Sequence, residues 1–540
     1  MQGNIMQYPL LTHDIIRKAV ERSPDQLIVS RMPTGAIHQY TYADAYQRIQ
    51  QLANGLIGLG VTSGQRIGTL AWSHYQHLEC YYAISGIGAV VHPINVRLFP
   101  EQIKYIINHA EDQYLFMDPE FIPLVEKFYQ ELPNIKGFII NCTRAQLPQT
   151  RLSNVIAYEQ LLSDQKPYFD WQRFDSRKAA SLCYTSGTTG HPKGVLADHY
   201  ACVLHATVTG SSQFLDLSPY TSALPAVPMY HVCAWGLPFS AILYGCKLVM
   251  PGSQLDGASL YQLIEQQQVD KAFGVPTIWQ TFYHYLQESG NYVPSLKLIA
   301  VGGATSPSAL VEAYANEYDV YWMGLWGMTE TGPLATTAIP TPRVMDLPLK
   351  ERIAIQSSAG QPIFGIEIEI FDDYNRPLPH DGDTCGHLKV KGPWVIEHYY
   401  NSNVKVCDDN GWFDTGDIAT IDESGYLCII DRSKDLVKSG GEWISSAILE
   451  NAALHYPAIQ QACVVAAKHP KWGERPIMLI VLKPDQQFDK NLLRAVLAEH
   501  VASWWLPDAI IQVTELPLTG TGKLRKVELR KQYQNYLLTQ

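Results

Sequence analysis

With 540 residues, the chain is too long for one compact core and is expected to divide into several packed lobes. Its make-up, 46% hydrophobic and 17% charged with no low-complexity tract, excludes a disordered or fibrous protein. A formal net charge of −11 argues against general binding to a nucleic-acid backbone, so any phosphate must meet a local site.

The opening MQGNIMQYPLLTHDIIRKAV has no basic stretch followed by an apolar core, and no later run of about 18 or more apolar residues follows. The expectation is a soluble cytoplasmic protein without stable membrane insertion. Ten cysteines occur without a CxxC pair or metal-ligand spacing and read as reduced core thiols. The sequon Asn141-Cys142-Thr143 matters only in a secreted protein and is read as chance.

In chain order, TYADAYQRIQQLANGLIGLG reads as an amphipathic helix: Thr41 and Asp44 form a capping box, Ile49, Leu52 and Leu56 face inward, and glycines end it. RIGTLAW follows as a strand. Leu298 to Val301 is a short buried strand, Gly302 and Gly303 turn, and Ser306-Pro307 supply the N-cap and first-turn proline of the next helix. Such alternation predicts α/β layers with ligands at strand ends. After about residue 434 the order becomes helix (Ser446 to Leu454), strand (Ala462 to Ala467), strand (Ile477 to Leu482), helix (Leu492 to Val501) and strand (Ile510 to Val513). That is a separate α+β domain of about 100 residues. The fold expected is therefore α/β, with a large multi-lobed domain over 1–433 and a small mobile α+β domain over 434–540.

YTSGTTGHPKGV, from Tyr184 to Val195, follows the apolar stretch Ala179 to Cys183. Glycines permit close backbone approach, hydroxyls and amides donate, and Lys193 adds charge, which together make a phosphate cradle; a flexible linker is the alternative. It is not a Walker A loop, because Lys193 follows Pro192 and no Ser or Thr follows a Gly-Lys pair.

This loop resembles the signature loop of the acyl-adenylate-forming superfamily, whose members include acyl-CoA synthetases, firefly-type luciferases and peptide-synthetase adenylation domains. Further segments match in order along essentially the whole chain. PMYHVCAWGLPF (Pro228 to Phe239) is similar to the family's acid-site motif, and GGA (Gly302 to Ala304) with GLWGMTETGP (Gly324 to Pro333) to its adenine and magnesium segments. GWFDTGD (Gly411 to Asp417) and DRSKDLVKSGGEWISS (Asp431 to Ser446) are similar to its ribose and hinge segments, and PLTGTGKLRK (Pro517 to Lys526) to its terminal lysine loop. Taken singly, His231 could be an ordinary hydrogen-bonded residue, GGA a turn and Lys523 a solvated lysine; their order makes coincidence negligible.

What the resemblance implies is an ATP- and Mg2+-dependent ligase that activates a carboxylic acid as acyl-AMP and passes the acyl group to coenzyme A. By resemblance, Thr185 and Glu330 ligate magnesium, and Ser186, Gly187, Thr188, Thr189 and Lys193 cradle phosphate. His231 and Trp235 border the acid. Gly302, Gly303, Ala304, Leu325, Trp326, Gly327, Met328 and Thr329 hold adenine and its neighbours, with Trp326 as a stacking face. Asp417 accepts from ribose hydroxyls, while Arg432, Lys438 and Trp443 lie where C-terminal nucleotide contacts are found. Lys523 contacts the acid and the α-phosphate. Lys434 is the hinge about which the small domain rotates, bringing Gly440 and Gly441 to the pantetheine arm.

Trp235, four residues after His231, matches a tryptophan that gates the acyl tunnel in some fatty-acyl-CoA synthetases, with core packing as the alternative. VKSGGEWISS and HPKWGERP (His469 to Pro476) look most like the medium- and long-chain fatty-acid branch. The expected substrates are fatty acid, ATP and coenzyme A, and a homodimer is what resemblance to fatty-acyl ligases implies. Ligases for short, methylthio or aryl acids share most of these motifs, and a luciferase-like or a non-catalytic nucleotide- or acyl-binding relative are the other classes weighed. Two departures stand out: Glu397-His398 precedes the Tyr-Tyr pair where many relatives have Gly, and Gly386-His387 replaces the commoner Gly-Glu.

Overall fold

The computed structural model describes residues 4–185, 191–440, 442–517 and 524–539. The chain forms two units, the first of Met1–Gly187, His191–Glu367 and Lys391–Phe413, the second chiefly of Ile368–Val390 and Asp414–Gln540. Lys434 thus falls inside the second unit.

The first unit contains two sheets. One has nine strands, and its centre is parallel, running Tyr321–Trp326, Leu298–Val301, Lys271–Gly274, Ser222–Pro225, Lys247–Met250 and Leu27–Arg31. The other has seven, in the order Val155–Ala157, Gly137–Ile140, Tyr114–Met117, Arg66–Leu70, Val90–Pro93, Ala179–Thr185 and Lys193–Asp198; only the last pair is antiparallel. Strands such as Leu298–Val301 are buried along their whole length, as a parallel sheet covered on both faces requires.

The crossover helices follow from local signals. Pro276–Ser289 starts with a proline at its first position, buries Trp279, Phe282 and Leu286 at helical spacing, and stops at Gly290 with φ 67°. Burying each of those side chains contributes roughly 1.5–3 kcal/mol. The capping box on Tyr42–Gly58 forms as expected: the Asp44 amide donates to Thr41 Oγ1 at 3.1 Å and the Thr41 amide to Asp44 Oδ2 at 3.0 Å.

Two expectations need correction. The helix after Gly303 starts at Ser308 with Pro307 as its N-cap, so Ser306 caps nothing; its hydroxyl instead accepts from Trp322 Nε1 at 2.9 Å, because a buried indole N–H needs a partner. All ten cysteines are free, but only Cys80, Cys142, Cys183, Cys246 and Cys463 are core thiols, whereas Cys385 and Cys428 are exposed. Asn141 is buried and donates to Asp118 Oδ1 at 2.7 Å, so the sequon asparagine is a structural residue.

The second unit holds a four-stranded sheet ordered Glu367–Phe371, Gly386–Lys391, Phe413–Ile421 and Leu427–Arg432. It also holds a five-stranded sheet ordered Glu442–Ile444, Val437–Ser439, Gly473–Leu482 and Ile459–His469, with Ala509–Gln512 pairing parallel to Gly473–Leu482. Helices Ser446–Ala453 and Lys490–His500 pack their Leu449, Leu493 and Leu497 into a core with Val464, Met478 and Ile480. All five elements expected after residue 434 are present. Among the described residues no helix is long and apolar enough to cross a membrane.

Candidate functional site

Four neighbouring strands of the nine-stranded sheet run parallel, so their carboxyl ends share one edge. Ser222–Pro225 leads there to His231 and Trp235, Leu298–Val301 to Gly302, Gly303 and Ala304, and Tyr321–Trp326 to Gly327, Met328, Thr329 and Glu330. Parallel sheets open their ligand crevices at this edge. The register Val301↔Gly324 sets the Gly302 turn beside Leu325 and Trp326, which are both buried. A Cβ built on Gly302 would lie 3.2 Å from the Leu325 carbonyl oxygen and 3.5 Å from Trp235 Cη2, so the Pro228–Phe239 and Gly302–Ala304 segments touch at a residue without a side chain.

Val232, Cys233, Ala234 and Trp235 all have left-handed φ, from 46° to 57°, and Gly236 continues the turn at 77°. Left-handed backbone costs about 1–2 kcal/mol per non-glycine residue, and a run of four, one of them β-branched, concentrates strain in this segment. The run turns the Trp235 indole inward while His231 stays half-buried. Behind it, a Cβ on Gly236 would come within 2.8 Å of His205 Nδ1, and His205 Nε2 accepts the Leu334 amide at 3.2 Å. Burial pushes His205 down to about 3, which keeps that ring neutral and able to accept.

The glycine-rich segment grows from an antiparallel hairpin in which Thr185 stands opposite Lys193. Thr185 is half-buried and Lys193 exposed. The strand Ala179–Thr185 packs against the turn Thr329–Thr331 that carries Glu330, and Glu330 is only 6% exposed. Tyr399 joins the two parts: its hydroxyl donates to Glu330 Oε1 at 2.9 Å, and the Lys193 ammonium stands 4.7 Å from its ring centroid. The Tyr-Tyr pair was visible in the sequence, but nothing there links Tyr399 to residues some 70 and 200 positions away.

In the second unit Asp417 and Arg432 face each other across an antiparallel ladder, and Arg432 Nε donates to Asp417 Oδ1 at 2.9 Å. Asp417 is 3% exposed and Arg432 43%, so this carboxylate is sunk while its partner reaches solvent. Directly after Arg432, the amides of Asp435 and Leu436 both donate to its carbonyl, at 2.8 and 3.1 Å, making the tight turn in which Lys434 lies exposed. The Lys434 carbonyl accepts from Arg530. Lys438 stands opposite Trp443, whose ring meets His387 edge-on at 5.9 Å, and His387 in turn pairs with Asp373 at 2.9 Å. Gly440, at φ 60°, donates its amide to the Trp472 carbonyl at 2.8 Å, and a Cβ there would lie 2.9 Å from Trp472 Cε3. Ser186, Gly187, Thr188, Thr189, Gly441 and Lys523 lie outside the described residues.

The flanks of the Lys523 segment are well fixed. The Arg525 amide donates to the Pro517 carbonyl at 2.8 Å, and Lys526 Nζ reaches Ser446 Oγ at 2.7 Å and Glu450 Oε1 at 2.8 Å. Burial opposes the Lys526 charge, but Glu450 and Asp431 outweigh it and hold the ammonium above its ordinary range.

The sequence of the AMP-binding enzyme family matches residues 16–400, and that of the AMP-binding enzyme C-terminal domain matches 449–523. The chain belongs to the AMP-binding enzyme family. Over 538 residues it is 40% identical to the medium-chain-fatty-acid–CoA ligase of Ectopseudomonas oleovorans, covering 100% of this chain and 98% of that one. It is likewise 40% identical over 537 residues to the 3-methylmercaptopropionyl-CoA ligase of Ruegeria lacuscaerulensis, covering 99% of this chain and 100% of that one. Its fold is that of the anthranilate CoA ligase AuaEII, solved in complex with anthranoyl-AMP, at a TM-score of 0.87 and 24% identity over 99% of both chains. As an AMP-binding enzyme the chain has its glycine-rich hairpin and its Glu330 turn inside the first matched region, and Tyr399 at that region's end.

The donor set suits magnesium. Glu330 and Thr185 offer hard oxygens. A cation held by one carboxylate, a hydroxyl, waters and substrate phosphates is what magnesium favours.

Proposed function

We propose that this AMP-binding enzyme is a ligase that joins a medium- or long-chain fatty acid to coenzyme A through an acyl-adenylate. The observation that carries the reading is the full-length 40% identity to a medium-chain-fatty-acid–CoA ligase. Trp235, buried against Gly302 at the acid motif, supports an apolar acyl tunnel there.

In the first half-reaction a carboxylate oxygen of the acid bonds to the α-phosphorus of ATP, pyrophosphate departs, and no proton changes place. The difficulty is charge, because an anion approaches a polyanion. Lys193 and the glycine-rich segment around Ser186, Gly187, Thr188 and Thr189 take the phosphates, and Glu330 with Thr185 would hold magnesium beside them. When bound, that cation neutralises phosphate oxygens. Lys523 balances the charge that builds on the α-phosphate, Gly302 to Ala304 and Leu325 to Thr329 receive the adenine, and Asp417 with Arg432 receives the ribose. His231 borders the acid.

In the second half-reaction the coenzyme A sulfur bonds to the acyl carbon, AMP departs and the thiol proton is released. We place the boundary of the small domain at Lys434, whose tight turn is a suitable hinge, and assign Gly440, Gly441, Lys438 and Trp443 to this stage. Lys523 must withdraw for the thiol to approach, so one site serves both reactions. A cytoplasmic location and homodimeric assembly belong to the same proposal; light scattering on the purified chain reads the second.

ATP–pyrophosphate exchange on the purified protein tests the reading. Exchange that requires added fatty acid, followed by a fatty-acyl-CoA product once coenzyme A is supplied, is the expected result. Exchange indifferent to fatty acid would overturn it. The equal identity to a 3-methylmercaptopropionyl-CoA ligase favours one second reading, a ligase for short methylthio acids.

A further inference from the structure

The stretch from Trp394 to Tyr400 crosses the phosphate end of the site and makes contact at both its sides. The Ile396 amide donates to the Glu330 carbonyl at 3.0 Å, and the Tyr400 amide to the Gly194 carbonyl at 2.7 Å, so the main chain ties the Glu330 turn to the strand that begins at Lys193. Tyr399 makes the same connection with its side chain, through the hydroxyl on Glu330 and the ring under Lys193.

The stretch is braced from behind. Glu397 accepts the Val406 amide at 2.9 Å and His398 bridges to Lys405, so the unusual Glu397-His398 pair opens a short hairpin. The Tyr400 ring meets His109 edge-on at 5.7 Å, and His109 Nδ1 bonds the Tyr184 hydroxyl at 2.6 Å, directly before Thr185. A half-buried tyrosine ordinarily needs one partner for its hydroxyl, and Glu330 would satisfy that need alone. The same ring also carries the lysine of the phosphate hairpin, which simple packing does not require.

We propose that Tyr399 is a positioning residue for the metal and phosphate end of the site: its hydroxyl sets the plane of the Glu330 carboxylate for the divalent cation, and its ring holds the Lys193 ammonium for the phosphates. This rests on the reading of Glu330 and Lys193 given above. One side chain then couples cation binding to nucleotide binding, because either ligand, once seated, fixes the tyrosine that orients the group for the other.

The test uses the full chain with ATP and no acid, so that nothing turns over, and Mn2+ as the probe, its free concentration read by electron paramagnetic resonance. Tyr399→Phe keeps the ring and removes the donor. It is expected to weaken Mn2+ binding by about tenfold, the order expected for one hydrogen bond to a charged group. Its thermal midpoint should stay within a few degrees of the parent's, as loss of one hydrogen bond in a chain this long allows, and its metal-free binding of ATP, measured by calorimetry in EDTA, should match the parent. Tyr399→Leu should in addition weaken metal-free ATP binding by about threefold through loss of the ring face. Parent-like Mn2+ affinity in Tyr399→Phe, alongside a loss in Glu330→Gln, would overturn the role of Tyr399 and leave the Glu330 reading standing. Parent-like affinity in Glu330→Gln would remove the reading beneath it. Should Tyr399→Leu not fold, Tyr399→Phe decides the matter alone.

Discussion

In the first unit, site residues spread from Thr185 to Tyr399 meet because parallel strands end at one edge and a hairpin bridges Glu330 to Lys193. In the second, Asp417 faces Arg432 and Lys438 faces Trp443, each pair across its own short antiparallel ladder, on either side of the turn at Lys434. The first arrangement needs most of a lobe to be in place, which suits a fixed surface for nucleotide and acid. The second is local, so its geometry survives a change of backbone at one turn, which suits groups that exchange roles between half-reactions.

The largest expected effect separates the two half-reactions. Lys523→Ala should lower acid-dependent ATP–pyrophosphate exchange by at least about 100-fold, as loss of one charge-stabilising group does. Thioester formation from supplied acyl-adenylate and coenzyme A should stay within about threefold, since the proposal gives the lysine no part in that step. Equal losses in both assays would break the division of labour.

Gly440→Val should do the reverse. A β-branched residue at φ 60° with a Cβ 2.9 Å from Trp472 distorts the segment assigned to the pantetheine arm. Thioester formation should fall about tenfold with exchange little changed. A drop in exchange of the same size would show that the glycine serves the fold of the unit rather than one of its steps.

Lys526→Met sharpens the contrast on the side of stability. It leaves the half-buried Glu450 carboxylate without its ammonium partner, and breaking such a pair from one side costs up to about 3 kcal/mol, the low end for a fully buried one. Hydrogen exchange followed by mass spectrometry should show that loss in the second unit's helix Ser446–Ala453 and strand Ile459–His469, with the first unit's parallel strands unaffected. Uniform deprotection of both units would contradict a loss confined to the second.

The smallest effect is acid sensitivity. Burial lowers His13 and His77 to about 4 and His199 and His205 to about 3, all four in the first unit. Their unfolded forms bind protons near pH 6.5 while the folded forms do not, so the unfolded state gains protons as pH falls. Their contribution to stability is therefore present above pH 6.5 and is lost as pH falls toward 4. Burial raises the Glu79 and Asp112 carboxyls of the same unit, which acts in the opposite sense as these groups protonate. Exchange protection in the first unit should decrease between pH 7 and 5.5; no change, or an increase, would contradict the sign.

The sequence disclosed what is local. The Thr41 and Asp44 capping box, the Leu298–Val301 strand and the five elements after residue 434 all rest on spacing and end signals that act within a few residues. The Ser306 hydroxyl could by its sequence cap a helix or receive an indole N–H, and only the packing of Trp322 decides between them. The left-handed run Val232–Trp235 has no local signal, since each of those residues alone prefers right-handed or extended backbone. Motif types pointed to candidate site residues, but not to the opposition of Asp417 and Arg432 or to Tyr399 spanning Glu330 and Lys193, because those pairings depend on register and on long-range topology.

The central claim is the acid. Purified enzyme given ATP, magnesium, coenzyme A and an equimolar mixture of octanoate, palmitate, 3-methylthiopropionate and benzoate should form thioesters in proportion to the kcat/KM of each acid, as read by mass spectrometry. The account predicts that octanoyl- or palmitoyl-CoA dominates the products. A mixture dominated by the 3-methylthiopropionate or benzoate thioester would contradict it.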